Sequence, residues 1–176
     1  VCGFNANKPG IMVIGGKNGS AAINKAVREA LPSLLHDFQV VHICGKEKID
    51  NLLLTTKGYH QFEYLKAELK DIFAMADLVI SRAGANAICE ILALKKPNLL
   101  IPLPAGSSRG DQILNAASFE SQGYSMVVSE DDLTKELLVA KVQELYCNRN
   151  TYIQAMEESE QSDAIKTIMS LIEEAS

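Results

Sequence analysis

No two of the four cysteines, Cys2, Cys44, Cys89 and Cys147, stand at CxxC spacing, so the sequence offers neither a zinc site nor a dithiol redox motif. Free thiols in a reducing cytoplasm are the plain reading. Long apolar runs are also missing. The strongest, such as residues 98–103 and 77–80, fall far short of the roughly 20 residues needed to span a bilayer, so no transmembrane helix is expected. The start of the chain has no basic stretch followed by an apolar run, as a secretory signal would require, and its first residue is Val1 rather than a methionine. An excised piece of a longer protein is the expectation. A basic excess is absent too: the net charge is −5, which argues against a general nucleic-acid binder, whose affinity rests on clustered Lys and Arg.

The common catalytic signatures are missing as well. There is no GxSxG elbow, His36, His42 and His60 are not at metal-ligand spacing, and no carboxylate cluster resembles a divalent-ion site. No pattern links a cysteine to a histidine in a nucleophilic pair. No general base is evident, and the catalytic residues remain unassigned.

What remains is an ordinary globular balance, 47% apolar and 22% charged over 176 residues, enough for one domain with a sizeable core. Short β-rich runs at 11–14, 39–43, 60–64, 78–81, 98–101 and 125–128 alternate with amphipathic stretches at 21–35, 46–54, 68–75, 86–94 and 110–122. Repeated βα order predicts an α/β fold, a Rossmann-like three-layer αβα domain with a mostly parallel six-stranded sheet. Two further helices are expected at 131–147 and 151–175, with Asp131 and Asn150 as start signals and Gly45 and Gly123 as reversals. Residues 1–10 are polar and rich in turn formers and read as a linker into a domain spanning 11–176.

Ligands of open parallel sheets bind beyond the carboxyl ends of the strands, and three strand-end loops are unusual. The first is GGKNGS, Gly15 to Ser20, just before a helix whose N-terminus would aim free N–H groups at an anion. It is neither GxGxxG nor a Walker A loop, and a tight turn alone would also explain its glycines. The second is SRAGANAICE, Ser81 to Glu90, where Arg82 and Gly84 open a helix. Glu90 there has two readings: acceptor of two ribose hydroxyls, or a first-turn acid facing its own helix dipole. The third, Pro102 to Ala116, is long and polar, with Asp111, Gln112 and Asn115 crowding a helix start. These could bond sugar hydroxyls, or Asp111 could simply cap the helix.

The GGKNGS loop, the segment DLVISRAGANAICEILALKKPNLLIP and the following SSRGDQILNA together resemble, in order and spacing, the C-terminal domain of the MurG family of N-acetylglucosaminyltransferases, glycosyltransferase family 28. The resemblance spans nearly the whole chain. It implies one half of a two-domain GT-B transferase that moves N-acetylglucosamine from UDP-N-acetylglucosamine to undecaprenyl-diphospho-muramoyl-pentapeptide (lipid I), giving lipid II. By the same resemblance this half binds the donor, and the lipid acceptor, the membrane-facing patch and the base belong to an N-terminal half not in this chain. The enzyme is implied to be metal-independent, without cofactor, and peripheral on the cytoplasmic face of the membrane.

Residue by residue, the resemblance assigns the diphosphate to Gly15, Gly16, Lys17, Asn18 and Gly19, with Lys17 standing where the family usually has serine. The uracil falls to the backbone of Leu65 or Lys66. Arg82, Gly84, Ala85, Asn86, Ala87, Ile88, Cys89 and Glu90 match the donor block, with Glu90 on the ribose. Gln112 matches a sugar-binding glutamine, with Asp111 beside it at a variable position. Competing readings are a separate donor-binding subunit of another UDP-sugar transferase, a module of the UDP-N-acetylglucosamine 2-epimerase type, whose His and acidic motifs are not found here, and a nucleotide-sensing domain.

Overall fold

The computed structural model of the chain describes residues 5–107 and 109–175, apart from the side chains of residues 160–162 and 164; Cys2 lies outside them. Six short strands, β1 (Gly10–Ile14), β2 (Gln39–Ile43), β3 (Tyr59–Phe62), β4 (Leu78–Ser81), β5 (Asn98–Leu100) and β6 (Met126–Val127), form one sheet. The spatial order is β3-β2-β1-β4-β5-β6 and every pairing is parallel. Parallel strands are covered on both faces, which is why β1, β2, β4 and β5 read as nearly continuous apolar runs.

Alternation along the strands divides the core into two layers. Ile11, Val13, Val40, Leu78, Ile80 and Leu99 pack with α1 (Ala21–Asp37) and α5 (Lys135–Cys147), while Met12, Val41, Ile43, Val79 and Leu100 face the other side. That second side is covered by α2 (Leu69–Met75), α3 (Ala85–Leu94) and α4 (Asp111–Ser121), with Met156 of α6 (Arg149–Glu157) and Ile165 of α7 (Glu160–Glu174) joining it. The strand order reverses direction between β1 and β4, so the loops leaving these two strands part and leave a crevice at the switch point.

Four expectations about the elements need correction. Residues 46–54 do not form a helix but a single 3-10 turn, Asn51–Leu53, capped by the Asp50 carboxylate. Of its leucines only Leu53 packs against the core, Leu52 being 91% exposed, and side chains take over the backbone groups: Arg28 donates to Lys48 O, while Gln61 bonds both the N–H and the C=O of Asp50. Asp131 starts no helix; it lies in a 3-10 turn, Glu130–Asp132, and α5 begins after Thr134, whose hydroxyl accepts from Leu137 N. The stretch 151–175 is two helices, broken at Glu158 and the buried Ser159, where no Gly or Pro marks the break. Asn150 lies inside α6, and Asn148 occupies the position before it.

Candidate functional site

Beyond the carboxyl ends of β1 and β4 lies a cleft of about 770 Å³. One wall is the β1–α1 loop, Gly15 to Gly19. Its glycines are demanded by close backbone approach: a Cβ on Gly19, at φ +73, would sit 2.1 Å from Cys44 O, and one on Gly15 would sit 2.6 Å from Ser20 N. The loop therefore lies directly on the end of β2 and is tightened by Gly19 N donating to Gly16 O. Lys17 and Asn18 line the cleft and are exposed, and Lys48 Nζ holds Asn18 O. Ser20 caps α1, its hydroxyl accepting from Ile23 N.

The second wall is the start of α3. Gly84 occupies its cap position and no side chain caps the helix, so the first-turn N–H groups of Ala85, Asn86 and Ala87 have no side-chain acceptor, and all three residues line the cleft. Glu90, further along this helix, is exposed and lines the same cleft. Gln112 of α4 closes this side. Its Oε1 accepts from both Ala83 N (3.2 Å) and Leu103 N (3.0 Å); because both partners are donors, the oxygen must face them. That orientation turns the amide NH2 away from these two amides. Asn115, one turn on, donates to Ala83 O and fixes the same turn. The third wall, after β3, carries Leu65, with Glu63, Tyr64 and Leu69 beside it.

The cleft thus gathers Gly15, Gly16, Lys17, Asn18, Gly19, Leu65, Arg82, Gly84, Ala85, Asn86, Ala87, Glu90 and Gln112. Five candidates fall outside it: Lys66 and Asn115, which do not line it, and Ile88, Cys89 and Asp111. Ile88 turns inward and is 6% exposed in the core with Ile91 and Leu92. Cys89 and Asp111 are exposed but do not line the cleft; Asp111 sits in the first turn of α4, and Gly110, at φ +82, rather than Asp111, occupies the cap position. Helical geometry sends successive side chains about 100° apart, so a contiguous block cannot all face one ligand. Arg82 lines the cleft, but its terminal nitrogens are engaged inside the protein. Nη1 donates to Ile101 O (3.0 Å) and Pro102 O (3.2 Å), and Nη2 to Ser20 Oγ (2.7 Å) and Glu130 Oε2 (2.5 Å).

Ile14, Ile43, Glu63, Tyr64, Leu69, Ser81 and Leu103 also line the cleft without having been singled out. Each lies at or just after the carboxyl end of a strand or at the helix start beyond it, which the strand-end rule alone would have flagged. A second, more open depression of about 780 Å³ lies between α1 and residues 48–52. It holds none of the glycine, α3 or α4 groups that converge on the switch-point cleft, and chemistry rather than volume selects the site.

Below the glycine loop the buried polar groups form a chain. Asn24 Nδ2 donates to Cys44 O, so Asn24 Oδ1 accepts from His42 Nε2 (2.8 Å), and His42 Nδ1 then accepts from the Tyr59 hydroxyl (2.8 Å). The histidine is thereby a neutral Nε2–H tautomer. Burial, with a contribution from the Arg28 charge, lowers its pKa from 6.5 to about 3; burial likewise pushes the Cys44 thiol up and the Tyr59 phenol up to about 12. Among the described residues no group of His, Cys, Asp and Glu could hold a metal ion, and no helix is long and apolar enough to cross a membrane.

A six-stranded parallel sheet whose switch-point cleft is ringed by a glycine loop and an uncapped helix start defines a Rossmann-like domain of the GT-B type. Residues 10–171 match the glycosyltransferase family 28 C-terminal domain, and the chain belongs to that family. A UDP-N-acetylglucosamine--N-acetylmuramyl-(pentapeptide) pyrophosphoryl-undecaprenol N-acetylglucosamine transferase of Lachnospira eligens is 58% identical over 176 residues, 100% of this chain and 50% of that relative. The chain spans about half the length of the curated relatives it matches. The crystal structure of Acinetobacter baumannii MurG is 22% identical and superposes with a TM-score of 0.73 over 94% of this chain and 51% of that one. The calicheamicin glycosyltransferase CalG4, at 15% identity, superposes at 0.68 over 94% of this chain and 42% of that one. These two superpositions establish the fold.

Proposed function

We propose that the chain is the donor-binding half of an inverting N-acetylglucosaminyltransferase. The whole enzyme would transfer N-acetylglucosamine from UDP-N-acetylglucosamine to lipid I, giving the lipid II of peptidoglycan synthesis. The observation that carries the reading is the convergence on one cleft of the glycine loop, the uncapped start of α3, Glu90 and Gln112, in a chain 58% identical to a transferase of that name.

In this reading the diphosphate lies between the glycine-loop amides and the first turn of α3, whose N–H groups and dipole favour negative charge. That charge grows as UDP departs, so donors fixed in advance lower the barrier to leaving. Lys17 adds a cation on the loop wall. Glu90 accepts from the two ribose hydroxyls, Gln112 donates from its NH2 to the sugar, and the uracil lies against Tyr64, Leu65 and Leu69. Ile88, Cys89 and Asp111 take no part. The acceptor lipid, the general base and the membrane contact on the cytoplasmic face are assigned to an N-terminal half, joined through residues 1–10, and the diphosphate charge is assigned to protein groups without a metal.

Calorimetric titration with UDP-N-acetylglucosamine, UDP and ADP, in magnesium and in chelator, tests this. Uridine ligands should bind in both buffers and ADP should not. Binding of ADP equal to that of UDP would overturn the donor assignment.

A further inference from the structure

Arg82 is the most heavily bonded side chain at the cleft, and its partners come from separate parts of the fold. Its guanidinium reaches the cap of α1 at Ser20, the carbonyls of Ile101 and Pro102 where β5 becomes the long polar loop, and Glu130 in the 3-10 turn before α5. Arg82 itself stands at the end of β4. Both members of the ion pair are shielded, with side chains 8% and 25% exposed. A planar fork can meet four acceptors on three elements at once, which the single ammonium of a lysine cannot. Glu130 does not line the cleft, and the sequence around it carries no ligand-binding signal.

We propose that the Arg82–Glu130 pair is the positioning element of the donor cleft: it locks the α1 cap, the β4–α3 turn and the β5–α4 loop into one rigid wall around the diphosphate. This rests on the donor-site reading above. Arg82 is a positioning residue, acting through Ser20 and through the carbonyls of Ile101 and Pro102. The last of these immediately precedes Leu103, whose amide, with that of Ala83, holds Gln112. The wall it braces is the diphosphate side. The uracil side, after β3, has no bond to the pair, so loss of the pair should weaken diphosphate binding selectively.

The test uses Glu130→Ala, Glu130→Gln and Arg82→Lys at a temperature where circular dichroism shows each folded. Affinity for UDP and for uridine is measured by titration, and hydrogen exchange at the Ala83 and Leu103 amides is followed without ligand. Glu130→Ala and Arg82→Lys should bind UDP about tenfold more weakly, with uridine changed less than about twofold, and should exchange faster at both amides. Glu130→Gln, which keeps an acceptor for Nη2, should stay within about threefold of the parent for UDP. Unchanged exchange at both amides overturns the proposal, as does an equal fall for UDP and uridine, which would mark a general loss of stability. Failure of the unmodified chain to bind UDP would count against the donor-site reading, and the exchange measurements would still judge the positioning role.

Discussion

Acidification should destabilise this protein through one histidine. His42 is 0% exposed and neutral, held between Asn24 Oδ1 and the Tyr59 hydroxyl, with the Arg28 charge nearby. Its pKa is lowered from 6.5 to about 3. The fold favours the neutral ring, so the contribution to stability is complete above about pH 6.5 and is lost as the pH falls toward 3. Within that window the unfolded chain binds one more proton than the folded one, and stability falls by about 1.4 kcal/mol per pH unit; by pH 5 the loss is about 2 kcal/mol. Urea denaturation of the parent and of His42→Gln at pH 7 and pH 5 isolates the effect, because the carboxylates titrate alike in both. The variant starts less stable, having lost the matched donor and acceptor, but should lose about 2 kcal/mol less on acidification. Identical losses in the two proteins would refute the reasoning.

Gly19→Ala should cost about 2 kcal/mol or more in the same denaturation assay, since a Cβ at φ +73 would meet Cys44 O at 2.1 Å; a loss under about 0.5 kcal/mol would mean the loop can lift off β2. Glu90→Ala should weaken UDP by about 1–3 kcal/mol in calorimetry and leave stability nearly unchanged, and an unaltered affinity would remove Glu90 from the ribose. Ile88→Ala should show the reverse, about 2–4 kcal/mol of stability lost with UDP affinity retained in the folded protein, because its side chain fills the core rather than the cleft. Lys17→Ser should weaken UDP by less than about 1 kcal/mol and flatten the salt dependence of binding; an unchanged salt dependence would place the ammonium away from the phosphates.

The sequence by itself determined the class of fold and pointed to the strand-end loops that line the candidate cleft. Strands buried on both faces must be apolar almost throughout, and the helices between them must carry one apolar stripe, so the βα alternation was legible from residue 11 to residue 128. Gly15 and Gly19 marked where backbone approaches backbone, Gly16 a turn at positive φ, and the polar loops at the strand ends pointed to where a ligand could sit. Tertiary structure decided what no local pattern holds. Residues 46–54 have a helical pattern but bury little beyond Leu53, and Arg28 and Gln61, distant in sequence, claim their backbone groups instead. The break at Glu158 and Ser159 lies between Met156 and Ile165, which both join the second layer, with no Gly or Pro to announce it. Within the donor block, helix rotation sends Ile88 to the core and Glu90 to the cleft. Arg82 lines the cleft, but only folding brought Glu130, 48 residues away, within 2.5 Å of it. Such partners are fixed by long-range burial, where an unpaired charge is costly, and that cost becomes visible only once the chain has closed on itself.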